Sequence, residues 1–263
     1  MNCKNCDKYL NGTQKFCDDC GAKVIQNRLT PKILAAQVNE EFISIDNKFL
    51  LTFIDLFKKP EVVIDGYIHG TRKKYIDVLQ YFAISLTLAG IQVFLMQTFF
   101  KESLEFSPEI MKAIESSSSQ KHNPFLNGDF DQLSQHQGLI YILTVPFSAL
   151  ATWLGYYFLG VKHYNFTEHL VLNLYYSAQI IIITAIFSIL FLLFGLNYLI
   201  VSTIITLPTF IYFFYVLKRL FKDSFWDAVA KFLFVMLIYF GIFVVIGLIT
   251  LIVVLVILFV NKL

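Results

Sequence analysis

Residues 170–217 read LVLNLYYSAQIIIITAIFSILFLLFGLNYLIVSTIITLPTFIYFFYVL, which is 48 residues without Asp, Glu, Lys or Arg. A single helix of that length would be about 72 Å long, whereas the hydrocarbon core of a bilayer is about 30 Å thick. The stretch therefore predicts two membrane-spanning helices, at about residues 173–194 and 198–217. The short connection between them would lie near Gly195, Leu196 and Asn197.

Three further apolar stretches flank this pair of predicted spans, at residues 78–100, 138–159 and 230–260, and Lys231 near the start of the last is their only charged residue. The first two each fit one crossing, and the third fits one tilted span or one span broken near Gly241 or Gly247. Only 15% of the chain is charged and 57% is hydrophobic, whereas about a quarter of a soluble chain is charged. The sequence predicts an all-α polytopic membrane protein with about five transmembrane helices over residues 78–263.

All four cysteines of the chain lie in its first 20 residues, as Cys3, Cys6, Cys17 and Cys20. Two C-x2-C pairs at this spacing can place four thiolates at the corners of a tetrahedron around one zinc ion. Because all four ligands would come from the protein, no position stays open for water, and the zinc is predicted to be structural. We therefore predict a small N-terminal zinc ribbon with four cysteine ligands over residues 1–26, which needs its metal to fold.

Other uses of the four cysteines fit less well. Haem attachment requires His directly after C-x2-C, but Asp7 and Gly21 stand at those positions. Two disulfides would require an oxidising compartment, which conflicts with the orientation inferred below. Rubredoxin-like iron stays an alternative, because four thiolates also suit that metal.

The surroundings of the cysteines favour a protein partner over nucleic acid. Several lysines lie nearby, but Asp7, Asp18 and Asp19 offset much of their charge. Tyr9 and Phe16 are the only aromatic residues among them, too few for a base-stacking platform. The net charge of the whole chain is only +2, so no general basic field attracts nucleic acid either.

The positions of Lys and Arg predict the orientation of the chain in the membrane. Residues 1–77 carry 12 of the 21 Lys and Arg residues, and three more, Lys218, Arg219 and Lys222, lie between the fourth and fifth spans. By the positive-inside rule, both regions face the cytoplasm. The N-terminus is thus predicted to be cytoplasmic, and the first span directs insertion because no apolar signal segment precedes it.

Residues 27–77 are predicted to form amphipathic juxtamembrane helices. Two apolar stripes recur there at near-helical spacing, one with Ile33, Leu34, Val38, Phe42 and Ile45, the other with Phe49, Leu50, Phe53, Ile54, Leu56 and Phe57. Both are too short to cross a bilayer, so we expect them at the headgroup boundary with their lysines facing anionic lipid. Alternatively, they pack on one another as a small soluble subdomain.

The predicted spans contain hardly any ionisable groups. Only Lys231 lies within them, near the cytoplasmic end of the last, which argues against an ion-coupled transporter or an intramembrane enzyme. Pro146 and Pro208 are expected to kink spans two and four, either shaping the bundle or opening a cavity. A lipid or apolar-solute transporter would need such a cavity at bilayer depth, and its predicted lining is Thr144, Ser148 and Thr206.

One cytoplasmic cluster could serve an enzyme or hold a second metal: His163, Glu168 and His169 between spans two and three, with Asp223 and Asp227 between spans four and five. The six-residue spacing of the two histidines does not place them on one helical face, and no H-E-x-x-H motif is present. Solvated polar residues at the interface are the simpler interpretation.

Several motifs in the first 90 residues are specific. They are CKNC at 3–6, FCDDCG at 16–21, NRLT at 27–30, FLLTFIDLFKKP at 49–60 and DGYIHGTRKKY at 65–75. Together they resemble an uncharacterised family of bacterial integral membrane proteins with an N-terminal zinc ribbon and a domain of unknown function. The resemblance implies a location in the bacterial inner membrane and carries no established activity or catalytic residue.

These observations lead to a functional hypothesis with one alternative. We expect a non-enzymatic scaffold, sensor or assembly factor whose cytoplasmic zinc ribbon binds a protein partner. A transporter or permease component for a lipid or apolar solute is the alternative.

Overall fold

The computed structural model describes residues 1–24, 30–32, 48–100 and 136–260. The chain divides into two compact units, residues 1–47 and residues 48–263, each considered by itself below. The first contains the four cysteines, and the second is built from helices. Those described are α1 (48–58), α2 (Pro60–Ile68), α3 (Val78–Phe99), α4 (Gln137–Phe158), α5 (Phe166–Leu193), α6 (Tyr198–Phe221) and α7 (Phe225–Val260).

Helices α3 to α7 are each long and apolar enough to cross a membrane. The chain is therefore an all-α multi-pass membrane protein, and the five predicted spans are confirmed. Helix α7 runs through Gly241 and Gly247 without a break, and membrane helices tolerate both glycine and proline. Helices α4 and α6 likewise continue through Pro146 and Pro208.

Helix α5 begins earlier than hydropathy predicts. The side chain of Asn165 accepts a hydrogen bond from the Glu168 amide at 3.0 Å, and the Glu168 carboxylate accepts one from the Asn165 amide at 2.7 Å. This reciprocal capping box satisfies amides that a helix end otherwise leaves unpaired. It fixes the start of the helix at Phe166, ahead of the uncharged run.

Helix α5 is the centre of the bundle and packs against α2, α3, α4 and α6. Uncharged polar groups join it to its neighbours. The Asn173 amide donates to the Thr152 hydroxyl at 2.9 Å, and the Tyr175 hydroxyl donates to the Ile76 carbonyl at 2.9 Å. Since lipid offers no competing partners, such hydrogen bonds contribute to helix association in a bilayer.

Helices α4 and α7 meet at a glycine. A Cβ atom on Gly155 would lie 2.6 Å from Cγ2 of Val235 and 3.4 Å from its Cα. We therefore expect Gly155→Ala to weaken the α4–α7 contact, at a cost of about 1–3 kcal/mol for overpacking. Thermal unfolding in detergent checks this, and adding Val235→Ala should restore much of the loss. A stable Gly155→Ala single variant would contradict the expected close packing.

Helix α1, which carries the second of the two predicted apolar stripes, belongs to the bundle unit. Its Thr52, Asp55 and Leu56 are buried, and the Thr52 hydroxyl accepts a hydrogen bond from the Ile76 amide at 3.1 Å. Helix α1 thus packs on the transmembrane helices. The other predicted stripe, from Ile33 to Ile45, lies outside the described residues.

Tyrosines of α6 cap the C-terminal end of α1. The last carbonyls of a helix have no partner within the helix, and here the Tyr212 hydroxyl donates to the Leu56 carbonyl at 3.0 Å and the Tyr215 hydroxyl donates to the Lys58 carbonyl at 3.1 Å. The two tyrosines are three residues apart and so lie on one face of α6. A third bond joins the Gln179 amide of α5 to the Phe53 carbonyl at 3.1 Å.

Candidate functional site

The four cysteines lie on two turns of matching geometry. In the first, the Cys3 amide donates to the Lys8 carbonyl at 2.8 Å and the Asp7 amide donates to the Cys3 carbonyl at 2.9 Å. The second repeats both bonds fourteen residues later, from Cys17 to Ala22 at 2.8 Å and from Gly21 to Cys17 at 3.0 Å. An isolated antiparallel bridge closes each turn, Asn2 with Tyr9 and Phe16 with Lys23. Each turn thus presents two sulfurs from a fixed backbone.

Each turn needs one residue in the left-handed region, four positions after its first cysteine. Gly21 supplies it in the second turn with φ +71°, and Asp7 takes it in the first with φ 59°. Aspartate tolerates this conformation better than most residues with a Cβ. The sequence difference between the two turns therefore does not change their shape.

The four sulfurs are close enough to share one metal ion. Sγ of Cys3 is 3.6 Å from Sγ of Cys20, Sγ of Cys6 is 3.6 Å from Sγ of Cys17, and all four lie within 4.8 Å of one another. Zinc–sulfur bonds of about 2.3 Å give a tetrahedron with edges of about 3.8 Å. The arrangement fits a small metal-binding site, and Leu10 packs under Cys3 and Cys17 as its apolar base.

The charge on this cluster is unevenly distributed. A hydrogen bond from the Lys8 backbone lowers the pKa of Cys6, but the neighbouring sulfurs and partial burial raise it, to about 12 overall. Hydrogen bonds from the Asn5 side chain and the Ala22 backbone, and then from Cys6, lower the pKa of Cys20 to about 6. Four thiolates this close repel one another, and a divalent cation offsets that charge.

The cluster of His163, Glu168, His169, Asp223 and Asp227, considered above as a second metal site, does not assemble. Within the described ranges, the four cysteines are the only group of three or more His, Cys, Asp or Glu residues whose ligand atoms converge. His169 is buried among the rings of Tyr156, Tyr164 and Phe221. Asp223 forms an ion pair with Lys231, and Asp227 accepts a hydrogen bond from Ser224.

The polar residues expected to line a transport cavity are separated. The Thr144 hydroxyl donates to the Tyr141 carbonyl of its own helix, and the Ser148 hydroxyl donates to Asn173. Thr206 lines a pocket of about 220 Å³ between the spanning helices, together with Gln92, Tyr141, Thr184 and Ser188, and neither Thr144 nor Ser148 lines this pocket. This pocket is small for a lipid, since ligand sites for drug-sized molecules usually start near 300 Å³.

A larger cleft, of about 690 Å³, lies at the end of the bundle where α3 and α5 begin and α4 and α6 end. We call it the interface cleft. Polar residues from four parts of the chain line it. Glu61 and Asp65 come from α2, and Thr71 and Lys74 from the connection before α3. His163 and Tyr164 come from the connection before α5, and Lys222 directly follows α6.

Both carboxylates of the interface cleft are engaged within the protein. Glu61 receives two hydrogen bonds from the Arg219 guanidinium, one of them from Nε at 3.1 Å. Asp65 accepts from the Tyr164 hydroxyl at 2.7 Å and lies 3.0 Å from Nδ1 of His69. Among the described residues, Lys74 and Lys222 form no ion pair. Tyr164 and His69 satisfy the hydrogen bonding of Asp65 without cancelling its charge. Three cations, Arg219, Lys74 and Lys222, therefore stand against two carboxylates, Glu61 and Asp65, which leaves one net positive charge at the cleft.

The connection before α3 contains a second group of tyrosine–aspartate pairs. The Tyr75 hydroxyl donates to buried Asp55 at 2.8 Å, and the Tyr67 hydroxyl donates to Asp77 at 2.9 Å. Asp77 also accepts from the Leu79 amide and so caps α3. These pairs fix residues 69–77 against the bundle and with them the cleft wall that carries Thr71 and Lys74.

These tyrosines predict a loss of stability at alkaline pH. Burial, followed by the hydrogen-bonded carboxylate, raises the pKa of Tyr67, Tyr75 and Tyr164 above the ordinary value near 10. A raised folded-state pKa contributes stability that is complete below about pH 10 and is lost as the pH rises through the folded-state pKa. Unfolding in detergent between about pH 9 and pH 11 measures this, and Tyr75→Phe should flatten the decline. Tyr9→Phe, outside the bundle unit, is the control; an equal effect would contradict the assignment.

The interface cleft is not predicted by the sequence, although part of its wall belongs to a specific motif. Asp65, Thr71 and Lys74 all lie in DGYIHGTRKKY. Ordinary ion pairing beside a membrane explains the charged residues of this motif equally well. The cluster of charged residues in this specific motif is the sequence feature from which the cleft could have been predicted. Its partners His163 and Lys222 come from connections that periodicity does not place.

Comparison with known proteins finds one family. Residues 46–90 match a family described as a protein of unknown function, DUF3667. The match spans α1, α2 and the first part of α3, and therefore includes the cleft wall built by α2 and the connection before α3. No curated protein and no solved structure matches the chain.

Proposed function

We propose that this protein is a non-enzymatic multi-pass membrane protein that serves as a scaffold, sensor or assembly factor. Its N-terminal segment with the four cysteines, residues 1–24, which we call the head, would bind a protein partner. The observation that carries the proposal is the closed set of four sulfurs, all within 4.8 Å of one another. A metal held by four protein thiolates has no open position for substrate, so it stabilises a surface instead of catalysing a reaction. In this proposal the metal is zinc and the head is a zinc ribbon.

The surface of the head supports a protein partner over nucleic acid. Tyr9 is 73% exposed and Phe16 54% exposed, and exposed aromatic side chains are typical anchors of protein interfaces. Lys8 is drawn into ion pairs with Asp18 at 3.1 Å and Asp19 at 3.9 Å. This pairing reduces the positive charge available for phosphates.

We further propose that the protein lies in the bacterial inner membrane with its N-terminus in the cytoplasm. The clustering of Lys and Arg before α3 and between α6 and α7 supports this orientation. Maleimide labelling after metal removal tests it: with the metal removed in both samples, a membrane-impermeant maleimide should label the cysteines in permeabilised cells and not in sealed cells. Labelling of the cysteines in sealed cells would contradict it.

The partner proposal is tested in cells with the full-length chain. A photo-crosslinking residue at position 9 or 16 should yield a discrete adduct, because both side chains would lie in the interface. The same residue at position 12 should yield none, and Cys17→Ser should abolish the adducts by unfolding the head. If neither position gives an adduct, and removal of residues 1–24 leaves the native size of the complex unchanged, the proposal fails.

A further inference from the structure

The interface cleft lies at the ends of the spanning helices, where the bilayer surface is expected. Both tryptophans of the chain are at this end of the bundle, Trp153 near the end of α4 and Trp226 in the first turn of α7. Trp226 is 78% exposed, as expected for an aromatic side chain at the boundary between hydrocarbon and headgroups. A lipid headgroup beside the protein is therefore at the same depth as the opening of the cleft.

The charges that face the cleft favour an anion. Arg219 neutralises Glu61, and Tyr164 and His69 hydrogen-bond Asp65, which keeps its charge. Lys74 and Lys222 have no ion-pair partner among the described residues, and the Lys74 ammonium lies 5.0 Å from the centre of the Tyr75 ring. The cations at the cleft thus exceed the carboxylates by one. Thr71 adds a hydroxyl donor to the same lining. Two ammonium groups and a hydroxyl around one cavity match the oxygens of a phosphate group.

The backbone at Lys222 is a second, independent observation. Helices α2, α4 and α5 are each followed by a glycine in the left-handed region, Gly70, Gly160 and Gly195, with φ between +74° and +99°. Helix α6 is followed by Lys222 with φ 54°, a conformation that a lysine adopts only at a cost. Strained residues of this kind cluster at binding sites, and this one lines the cleft.

We propose that the interface cleft binds the phosphate group of an anionic phospholipid through Lys74 and Lys222, with Thr71 as a hydroxyl donor. The bilayer is the source because the cleft opens at headgroup depth between the connections that precede the spans. Glu61 and Asp65 also line the cleft, where Arg219 neutralises Glu61 and both Tyr164 and His69 hydrogen-bond Asp65. This inference concerns the bundle and is independent of the proposed role of the head.

Native mass spectrometry of the full-length chain in neutral detergent tests the proposal. The probe is phosphatidylglycerol, titrated against phosphatidylcholine as the zwitterionic reference. The variant Lys74→Ala/Lys222→Gly removes both charges, and glycine at position 222 relieves the left-handed backbone, so the fold should persist. Its affinity for phosphatidylglycerol should fall about 10- to 30-fold, as expected for two lysines near a lipid headgroup.

A variant with the same change in net charge serves as the matched control. Lys58 and Lys218 lie outside the cleft lining, and Lys58→Ala/Lys218→Ala should leave the affinity nearly unchanged. Equal loss in both variants, or in neither, would overturn the proposal. Displacement of the lipid by millimolar inorganic phosphate, lost in the cleft variant, would assign the cleft to a soluble phosphate and overturn the lipid assignment. Thermal unfolding of both variants shows that each is folded.

Discussion

Replacing Cys17 with serine is expected to abolish metal binding by the head and to leave residues 1–24 unfolded. The thiol of Cys17 is one of four sulfurs within 4.8 Å of one another, and a serine hydroxyl does not replace a thiolate as a soft ligand. Structural zinc contributes about 10–16 kcal/mol to the folding of comparable small peptides. The few buried side chains of the head, chiefly Leu10 with Cys3 and Cys17, cannot supply that amount.

Metal content and thiol reactivity of the purified full-length protein measure this effect. The wild type should carry about one metal ion per chain, as expected for a four-thiolate site, and its cysteines should react slowly with maleimide. The Cys17→Ser variant should carry almost none and expose its three remaining thiols. Lys23→Ser changes an exposed residue in the same turn and should keep the metal. A metal content equal to that of the wild type in Cys17→Ser would show that the cluster is not the binding site.

Replacing Asp223 with alanine is expected to destabilise the bundle by about 3–5 kcal/mol. Asp223 is paired with Lys231, and their side chains are only 9% and 21% exposed. Lys231 also lies 5.8 Å from the centre of the Tyr156 ring, an aromatic surface that gives it no counter-charge. Loss of the carboxylate would leave an ammonium group largely out of water without an anionic partner, which is the costly state of a broken buried pair.

A double-mutant cycle separates the pair from other effects. Unfolding in mixed micelles gives the free energy for Asp223→Ala, for Lys231→Met and for the double variant. The double variant should recover much of the loss, because removing both charges leaves nothing unpaired. The control is Asp227→Asn. The wild-type Asp227 carboxylate accepts a hydrogen bond from Ser224 at an exposed site, so this variant should change stability by less than about 1 kcal/mol. Additive losses in the cycle would contradict the coupling.

The transmembrane helices could be predicted from the sequence because a single physical constraint determines them. A helix that crosses lipid must go about 20 residues without unpaired charge, and the five apolar stretches obey this rule. The exact helix ends could not be predicted in the same way. The start of α5 depends on the hydrogen bonds between Asn165 and Glu168, to which hydropathy is insensitive. The convergence of the four cysteine sulfurs, in contrast, could be predicted, because two C-x2-C pairs at this spacing are typical of a four-thiolate metal site.

The interface cleft and the role of α1 could not be read from periodicity. The cleft joins Glu61 to Lys222, and no local pattern indicates which connections meet at the end of a bundle. Helix α1 has the apolar stripe of a helix that lies on a membrane surface, and the same stripe serves equally well against other helices. The tyrosines on α6 show that one side of α1 packs on the bundle, and their hydroxyl partners could not be predicted from the spacing of apolar residues.

The capping of α1 by Tyr212 and Tyr215 has a consequence for biosynthesis. The Lys58 carbonyl and its tyrosine partner are separated by 157 residues, and a ribosome adds about 5–20 residues each second. Helix α1 therefore leaves the ribosome about 8–30 s before its final contacts exist. During that interval its apolar face needs a temporary cover, for which the adjacent lipid surface or the insertion machinery is available.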